Sequence, residues 1–243
     1  MGLGARVHSA AGAGLAVAVV VLAVVVRREV GEMMFTEENL AKIRTAVCEA
    51  ERRTRGEIVP MIVPRSAQYR EAGHALGVIL ALIALSTLLL WDRPGWGGIL
   101  SPAWILLAVV VAYGVGDYAG LLPATIRLLT SKERIDSAVR RRAEAAFYEH
   151  GLHKTREGTG ILIMLSLLER RVQVLADKAI NERVPPATWD RIVQELVAAI
   201  REGRPTEGFC CAIEKCGVLL AEHFPARPSD NPDELSDDLI QER

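Results

Sequence analysis

Two long apolar runs in the middle of the chain constrain its fold more than any other feature. Residues 73–91 and 99–122 are each about twenty mostly apolar residues long, which is the length that crosses the hydrocarbon core of a bilayer. The short polar link 92–98 joins them and contains glycine and proline, as a tight turn requires. The pattern predicts a transmembrane helical hairpin over residues 73–122.

Each of these runs also carries a pair of glycines four residues apart. Gly73 and Gly77 belong to the first run, and Gly116 and Gly120 belong to the second. Small residues at this spacing let membrane helices approach closely. Each predicted helix therefore offers a surface for packing against a neighbour.

A hairpin returns the chain to the side of the membrane from which it started, so the sequences before and after it share one compartment. Basic residues flank the hairpin on that side, namely Arg65, Arg70, Arg127, Lys132 and Arg134. The link holds only Arg93. Because basic loops tend to remain cytoplasmic, we expect a multi-pass membrane protein whose soluble part is in the cytoplasm.

The two termini differ in composition from the rest of the chain. Residues 1–32 contain an apolar run followed by Arg27 and Arg28 and by no small-residue cleavage site, which predicts an uncleaved anchor. Met33 and Met34 stand just before the first amphipathic helix, so an over-extended gene start is the alternative. Residues 225–243 are rich in Pro, Asp and Glu, which predicts a disordered acidic tail.

The remaining sequence predicts one α/β domain in two parts, residues 35–72 and 123–224. In the first part, a helix capped by Thr36 precedes the strand 57–63, where Pro60 indicates an edge strand or a bulge. The second part begins with a helix capped by Ser131.

Two short aliphatic runs follow that helix. Residues 160–166 and 171–176 are too short for membrane helices and rich in Ile, Val and Leu, which predicts two strands joined by a tight turn. Pro185 and Pro186 then precede an amphipathic helix with Trp189, and a last helix begins near Thr206.

Four of these stretches together resemble one known family. They are FTEENLAKI at 35–43, GEIVPMIV at 56–63, TGILIMLSLLERRVQVLADKAI at 159–180, and the helix that contains Trp189. The chain is similar to the TPM domain family, and within it to bacterial membrane proteins in which a membrane hairpin interrupts the domain after the first strand. The resemblance implies a three-layer α/β/α sandwich with a small sheet.

The resemblance also implies a candidate site. Some family members show acid phosphatase activity, and some bind calcium through carboxylates at strand ends. From the acidic positions near the strands we predict Asp177, Glu169 and Glu57 as ligands of calcium or another divalent cation. Arg170 and Arg171 are the predicted phosphate or anion contacts. The family's glycine and acidic residues after the last strand are replaced here by DKAIN, from Asp177 onward.

These residues also have plain structural alternatives. The sequence Glu169-Arg170-Arg171 fits a solvated hairpin turn, and Asp177 fits the cap of the helix that follows it. Asp117, within the second apolar run, is the only residue that favours a transporter or channel subunit.

The motifs of several enzyme classes are absent from the sequence. It contains no G-x-S-x-G, no H-E-x-x-H, no phosphate-binding glycine loop and no reactive-cysteine signature. A net charge of −1 gives no basic field that would favour nucleic acid as a partner. We therefore expect a non-catalytic interaction or assembly module with the lipid bilayer and a membrane protein as partners. The alternative is a metal-dependent phosphatase-like hydrolase.

Overall fold

The chain folds as a mixed α/β protein with one four-stranded sheet. The computed structural model describes residues 35–91, 101–227 and 235–242. Over these residues the helices are α1 (Glu37–Glu51), α2 (Arg70–Trp91), α3 (Pro102–Ala119), α4 (Pro123–Leu129), α5 (Lys132–Glu149), α6 (Lys178–Asn181), α7 (Pro186–Arg201) and α8 (Pro205–His223). The strands are β1 (Glu57–Val63), β2 (Gly160–Ser166), β3 (Arg171–Ala176) and β4 (Ile240–Gln241), and a short 3₁₀ helix spans Leu152–Lys154.

The sheet has the order β3-β2-β1-β4. At the start of β1, the Glu57 amide donates a hydrogen bond to the Thr159 carbonyl, just before β2, at 3.2 Å. At the end of β1, the Val63 carbonyl accepts one from the Leu167 amide, just after β2, at 3.0 Å. These bonds make β1 and β2 parallel. Every residue of both strands is buried, as expected for parallel strands covered on both faces. The predicted sandwich interrupted by an apolar helix pair is thus confirmed.

The predicted strand pair, 160–166 and 171–176, is also confirmed. β2 is an unbroken aliphatic run and is wholly buried, whereas β3 alternates, with Val172 and Val174 buried and their neighbours partly exposed. This alternation is the two-residue period of a strand with one covered face. A four-residue link joins the two strands, and in it Arg170 has a φ of 53°.

Side-chain caps fix the starts of the predicted amphipathic helices. The Thr36 hydroxyl accepts a hydrogen bond from the Asn39 amide, and the Ser131 hydroxyl accepts one from the Arg134 amide, both at 3.4 Å. Each bond satisfies an amide that has no partner within the first helical turn. Both capping residues predicted from the sequence are therefore confirmed.

The described chain consists of two compact units. One contains α1, most of β1, the start of β2, α6 to α8 and β4. Within it α8 packs against α1 and α7, and the fully buried Phe209 contacts Phe35 edge-on, with ring centroids 6.0 Å apart. The other contains α2 to α5, the end of β2 and β3.

In the second unit α2 and α3 pack against each other along their glycines. A Cβ atom placed on Gly116 would lie 2.7 Å from the Gly77 Cα, and one on Gly73 would lie 2.7 Å from the Asp117 carbonyl oxygen. Real Cβ atoms do not approach other atoms so closely. The glycine surfaces predicted from the spacing therefore face each other.

The outer surfaces of α2 and α3 are largely uncovered. Both helices are long and apolar enough to cross a membrane, and only 11% and 6% of their apolar windows are buried within the protein. The predicted limits 73–91 and 99–122 correspond to Arg70–Trp91 and Pro102–Ala119. The predicted link 92–98 and the N-terminal segment 1–32 lie outside the described residues.

Pro60 lies on the side of β1 that faces away from β2. On that side the Ile58 amide donates to Glu51 Oε1 at 2.7 Å, and the Ile62 carbonyl accepts from the Glu242 amide at 3.1 Å. Because backbone groups alternate along a strand, Pro60 faces the same way as Ile58 and Ile62, and no amide is needed there. This explains how a proline is tolerated in a buried strand.

The described end of the C-terminal tail contains a strand, which the prediction of a disordered acidic tail over residues 225–243 did not include. Ile240 and Gln241 form β4, which pairs in parallel with Met61 and Ile62. The last residues of β1 have backbone amide and carbonyl groups on the side that faces away from β2, and these groups need hydrogen-bond partners. The end of the tail, which contains the apolar Ile240, supplies them. A composition rich in Pro, Asp and Glu gave no sign of that pairing.

A glycine substitution tests the packing of α2 on α3. We expect Gly116→Ala to destabilise the helix pair by about 1–3 kcal/mol, because the added methyl group overlaps the Gly77 backbone. Gly114 in the same helix has open space around its Cβ position, so Gly114→Ala should leave stability unchanged or raise it slightly. Circular dichroism can follow the unfolding of both variants in mixed micelles. Equal stability of Gly116→Ala and Gly114→Ala would contradict the close packing of α2 on α3 at Gly116.

The Glu51 carboxyl makes stability depend on pH. Burial raises its pKa from 4.5 to about 9, and the nearby carboxylates of Glu57 and Asp237 act in the same direction. The folded protein therefore binds the Glu51 proton more tightly than the unfolded chain does. The resulting contribution to the free energy of unfolding is fully present below pH 4.5, where Glu51 is protonated in both states, and is lost as the pH rises toward 9.

Glu51→Gln keeps the oxygen that accepts from Ile58 and removes the charge. We expect this variant to gain on the order of 2 kcal/mol over the wild type at pH 8 and to show a flatter stability profile. Urea unfolding between pH 4.5 and pH 9 measures both profiles. Parallel profiles for variant and wild type would rule out Glu51 as the source of the dependence.

Candidate functional site

Polar residues gather just beyond the carboxyl ends of β1 and β2. Ser66 and Tyr69 follow β1, Ser166 ends β2, and Glu169 lies in the link between β2 and β3. All four belong to the same compact unit. Ligand sites of α/β domains commonly form at this edge of the sheet, so this cluster is the first candidate.

Glu169 is the centre of this cluster and is only 3% exposed. Its Oε1 accepts hydrogen bonds from the Ser66 amide at 2.9 Å and from the Tyr69 hydroxyl at 2.8 Å. Its Oε2 accepts a short bond from the Ser166 hydroxyl, which also lies 2.9 Å from the Ser66 hydroxyl. A carboxylate taken out of water needs such donors, and Glu169 has three.

The Tyr69 hydroxyl is held in its protonated form. Burial raises the pKa of Tyr69, and the hydrogen bond and negative charge of Glu169 raise it further, although the charges of Arg134 and Arg141 oppose the change. A phenol with a raised pKa remains a hydrogen-bond donor at neutral pH. Tyr69 therefore stabilises the Glu169 charge and is unsuited to act as a base.

Backbone contacts of the β2–β3 link turn Glu169 inward. The amides of Leu167 and Leu168 donate to the carbonyls of Val63 and Pro64, each at 3.0 Å. These bonds fasten the link to the chain that leaves β1. The positive φ of Arg170 then reverses the backbone directly after Glu169. The solvated-turn interpretation of this link is therefore wrong for Glu169, which is buried.

The two arginines predicted to contact phosphate lie in different environments. Arg170 is exposed, whereas Arg171 Nε donates to Asp136 Oδ1 on α5 at 2.8 Å. A third cation, Arg127 on α4, reaches the link and donates to the Leu168 carbonyl at 3.4 Å. Sequence reasoning did not select Arg127, because it is 41 residues away from its partner and belongs to no motif.

The other predicted metal ligands lie at the opposite end of β2. The Glu57 amide donates to the Thr159 carbonyl at 3.2 Å, and the Asp177 amide donates to the Gly160 carbonyl at 2.9 Å. Both residues are therefore beside the start of β2, while Glu169 follows its end. The structure brings Glu57 and Asp177 together beside the start of this strand.

Asp177 also caps the helix that follows it, which was the structural alternative to a metal-binding role. Its Oδ1 accepts a hydrogen bond from the Lys178 amide at 2.6 Å, at the start of the short helix α6. The cap interpretation is confirmed. Its second carboxylate oxygen faces Gly158, where a Cβ atom would lie 3.5 Å away.

A second polar cluster lies at the base of the helix pair. His74 Nδ1 is 2.8 Å from Asp117 Oδ1 and 3.1 Å from the Tyr113 hydroxyl. His74 is near the start of α2 and Asp117 is near the end of α3. Polar partners of this kind lower the cost of a carboxylate in an otherwise apolar helix. Asp117 is thus fixed between the two helices close to where they leave the apolar region.

Most of the hydrogen-bonding capacity of the Glu169 carboxylate is used by the protein itself. A carboxylate has about four lone-pair positions for hydrogen bonds, and three of them are filled by protein donors. Sequence reasoning selected Glu169 and missed Ser66, Tyr69 and Ser166. The first two are 103 and 100 residues from Glu169, so no local spacing links them to it.

Comparison with known proteins agrees with this fold. The family model of the TPM domain matches residues 123–218, so this part of the chain carries a TPM domain and the resemblance is confirmed. The NMR structure of the BA42 protein from the psychrophilic bacterium Bizionia argentinensis is similar, with a TM-score of 0.53 and 19% sequence identity. The match covers 86% of this chain and 95% of that one, and it shows the fold alone. No curated protein matches the chain.

Replacing Glu169 tests its role as a structural acceptor. We expect Glu169→Gln to lower the free energy of unfolding by roughly 2–3 kcal/mol. The NH₂ group of the glutamine would face protein groups that are themselves hydrogen-bond donors to Glu169. The exposed Glu222 offers a matched control, and Glu222→Gln should change stability by less than about 0.5 kcal/mol. Chemical unfolding measures both. A Glu169→Gln protein as stable as the control would contradict this role.

Proposed function

We propose that this chain is an inner-membrane protein whose TPM-like domain acts as a non-catalytic interaction or assembly module. In this proposal α2 and α3 form a transmembrane hairpin, and the domain is on the cytoplasmic side. The lipid bilayer and a membrane protein are its partners, and nucleic acid is not.

The uncovered apolar surface of α2 and α3 is the observation that carries the membrane part of the proposal. A core helix of a soluble protein is mostly buried, but only about a tenth or less of each apolar window is buried here. Large side chains point outward along both helices, among them Ile79, Leu82, Ile83, Leu90, Leu106, Val110 and Val111. A surface of this size requires an apolar environment, and a bilayer provides one.

The state of the Glu169 cluster supports the non-catalytic part. Its carboxylate is occupied by three protein donors, and Tyr69 is held as a donor. Arg171 is engaged with Asp136. A general base or nucleophile needs an accessible lone pair, and the described residues around Glu169 leave little for that purpose.

A metal-dependent phosphatase-like hydrolase remains the second candidate, and one observation favours it. Glu57 and Asp177 lie at the same end of the sheet, each beside the start of β2. Calcium takes about six to eight oxygen ligands, so these two carboxylates need water or substrate oxygens to complete a site. Under this alternative Glu169 remains a structural residue.

Two measurements on the full-length protein separate these proposals. After alkaline carbonate extraction we expect the protein to remain in the membrane pellet, because two spanning helices are not released by raised pH. In detergent we expect no hydrolysis of p-nitrophenyl phosphate with calcium, magnesium, manganese or zinc. Release into the supernatant would contradict the membrane anchor.

Metal-dependent turnover would contradict the non-catalytic role and favour the hydrolase. In that case Asp177→Asn should abolish turnover, while Asp190→Asn, which alters an exposed carboxylate on α7, should not. Turnover unaffected by Asp177→Asn would assign the activity to a contaminant or to another site.

A further inference from the structure

The short helix α4 has an apolar face that the described protein leaves uncovered. Ile126 points inward and is buried, whereas Leu128 is 84% exposed, the highest value among the exposed large apolar side chains. Leu121, just before the helix, and Leu129, at its end, are exposed as well. An element with one buried and one exposed apolar face needs a second apolar environment.

The position of α4 in the chain indicates which environment this is. Three residues separate the end of α3 at Ala119 from the start of α4 at Pro123. These residues form a tight turn, in which the Leu122 amide donates to the Ala119 carbonyl at 3.2 Å, so α4 begins close to the point where α3 ends. The polar headgroup region of a bilayer is about 5–8 Å thick on each side. If α3 crosses the membrane, α4 therefore begins at its surface.

The polar residues around α4 suit the same position. Arg127 donates to the Leu168 carbonyl at 3.4 Å, which fastens the helix to the domain while Leu128 points away. Lys132 is exposed three residues after the end of α4, at the start of α5. Arg134 forms an ion pair at 2.7 Å with Glu71, which lies at the start of α2. Basic residues next to a bilayer are attracted by anionic lipid headgroups.

We propose that α4 is an interfacial helix that lies in the headgroup region of the leaflet facing the domain, with Leu128 inserted among the lipids. Leu121 and Leu129 contact the same region, and Lys132 contacts anionic headgroups. The inference rests on the membrane-spanning role proposed for α2 and α3. It adds that the bilayer contacts the protein beyond the hairpin.

Spin labels at three outward apolar positions test this proposal. Single cysteines replace Leu128 on α4, Val111 on α3 and Val218 on α8; the last two are 55% and 51% exposed. The four native cysteines are first replaced, Cys216 by Ala and the others by Ser. The protein is reconstituted in vesicles of phosphatidylcholine and phosphatidylglycerol, and collision of each label with aqueous chromium oxalate and with oxygen is measured.

We expect the Leu128 label to collide with chromium oxalate on the order of tenfold less often than the Val218 label, because the bilayer excludes a charged reagent. Its depth should be shallow, whereas the Val111 label should be deep. Equal access at Leu128 and Val218, with Val111 deep, would overturn the interfacial helix and leave the hairpin intact. Access at Val111 equal to that at Val218 would overturn the proposed function and this inference together.

A second measurement avoids the cysteine replacements. Leu128→Trp is made in the chain with its native cysteines, and lipids brominated near the headgroup are used as quenchers. Quenching above that of the wild type supports the inference. Additional fluorescence that is not quenched overturns it, including the case in which a protein partner covers Leu128 instead of lipid.

Discussion

A buried carboxylate with three donors fixes the connection between the sheet and the helix pair. Glu169 lies in the β2–β3 link, and it accepts from Ser66 and Tyr69, which stand between β1 and α2. A charge this deeply buried is tolerated only when hydrogen bonds replace its water. These hydrogen bonds attach the segment that leaves β1 to the β2–β3 link, and α2 begins directly after Tyr69. Together with the ion pair between Arg134 and Glu71, the hydrogen bonds of Glu169 hold the start of the apolar helix.

The helix pair meets two separate demands. Its inner surfaces are glycines, which let α2 and α3 approach until a single added methyl group would overlap the partner backbone. Its outer surfaces consist of large aliphatic side chains, which are shielded from water only if the surroundings are apolar. The polar groups His74 and Asp117 are paired with each other, near the start of α2 and the end of α3. This division suits helices that pack tightly together and face lipid everywhere else.

Features set by local sequence were predictable, and those that depend on distant contacts were not. Thr36 and Ser131 cap helices through amides three residues away, and the period of β3 is visible in Val172 and Val174. The partners of Glu169 are about a hundred residues away, and nothing in their neighbours marks them. For the same reason the pairing of Ile240 with β1 was missed. The common position of Glu57 and Asp177 beside the start of β2 depends on strand pairing, which no local pattern displays.

Hydrogen exchange at the Ser66 amide tests the role of Glu169 most directly. The protein, reconstituted in lipid nanodiscs, would be compared by NMR as wild type and as Glu169→Gln, with Glu222→Gln as the control. We predict that the Ser66 amide is protected in the wild type and in the control, and that its protection is lost in Glu169→Gln. A Ser66 amide that exchanges at the rate of an unprotected peptide in the wild type would show that Glu169 does not hold this connection.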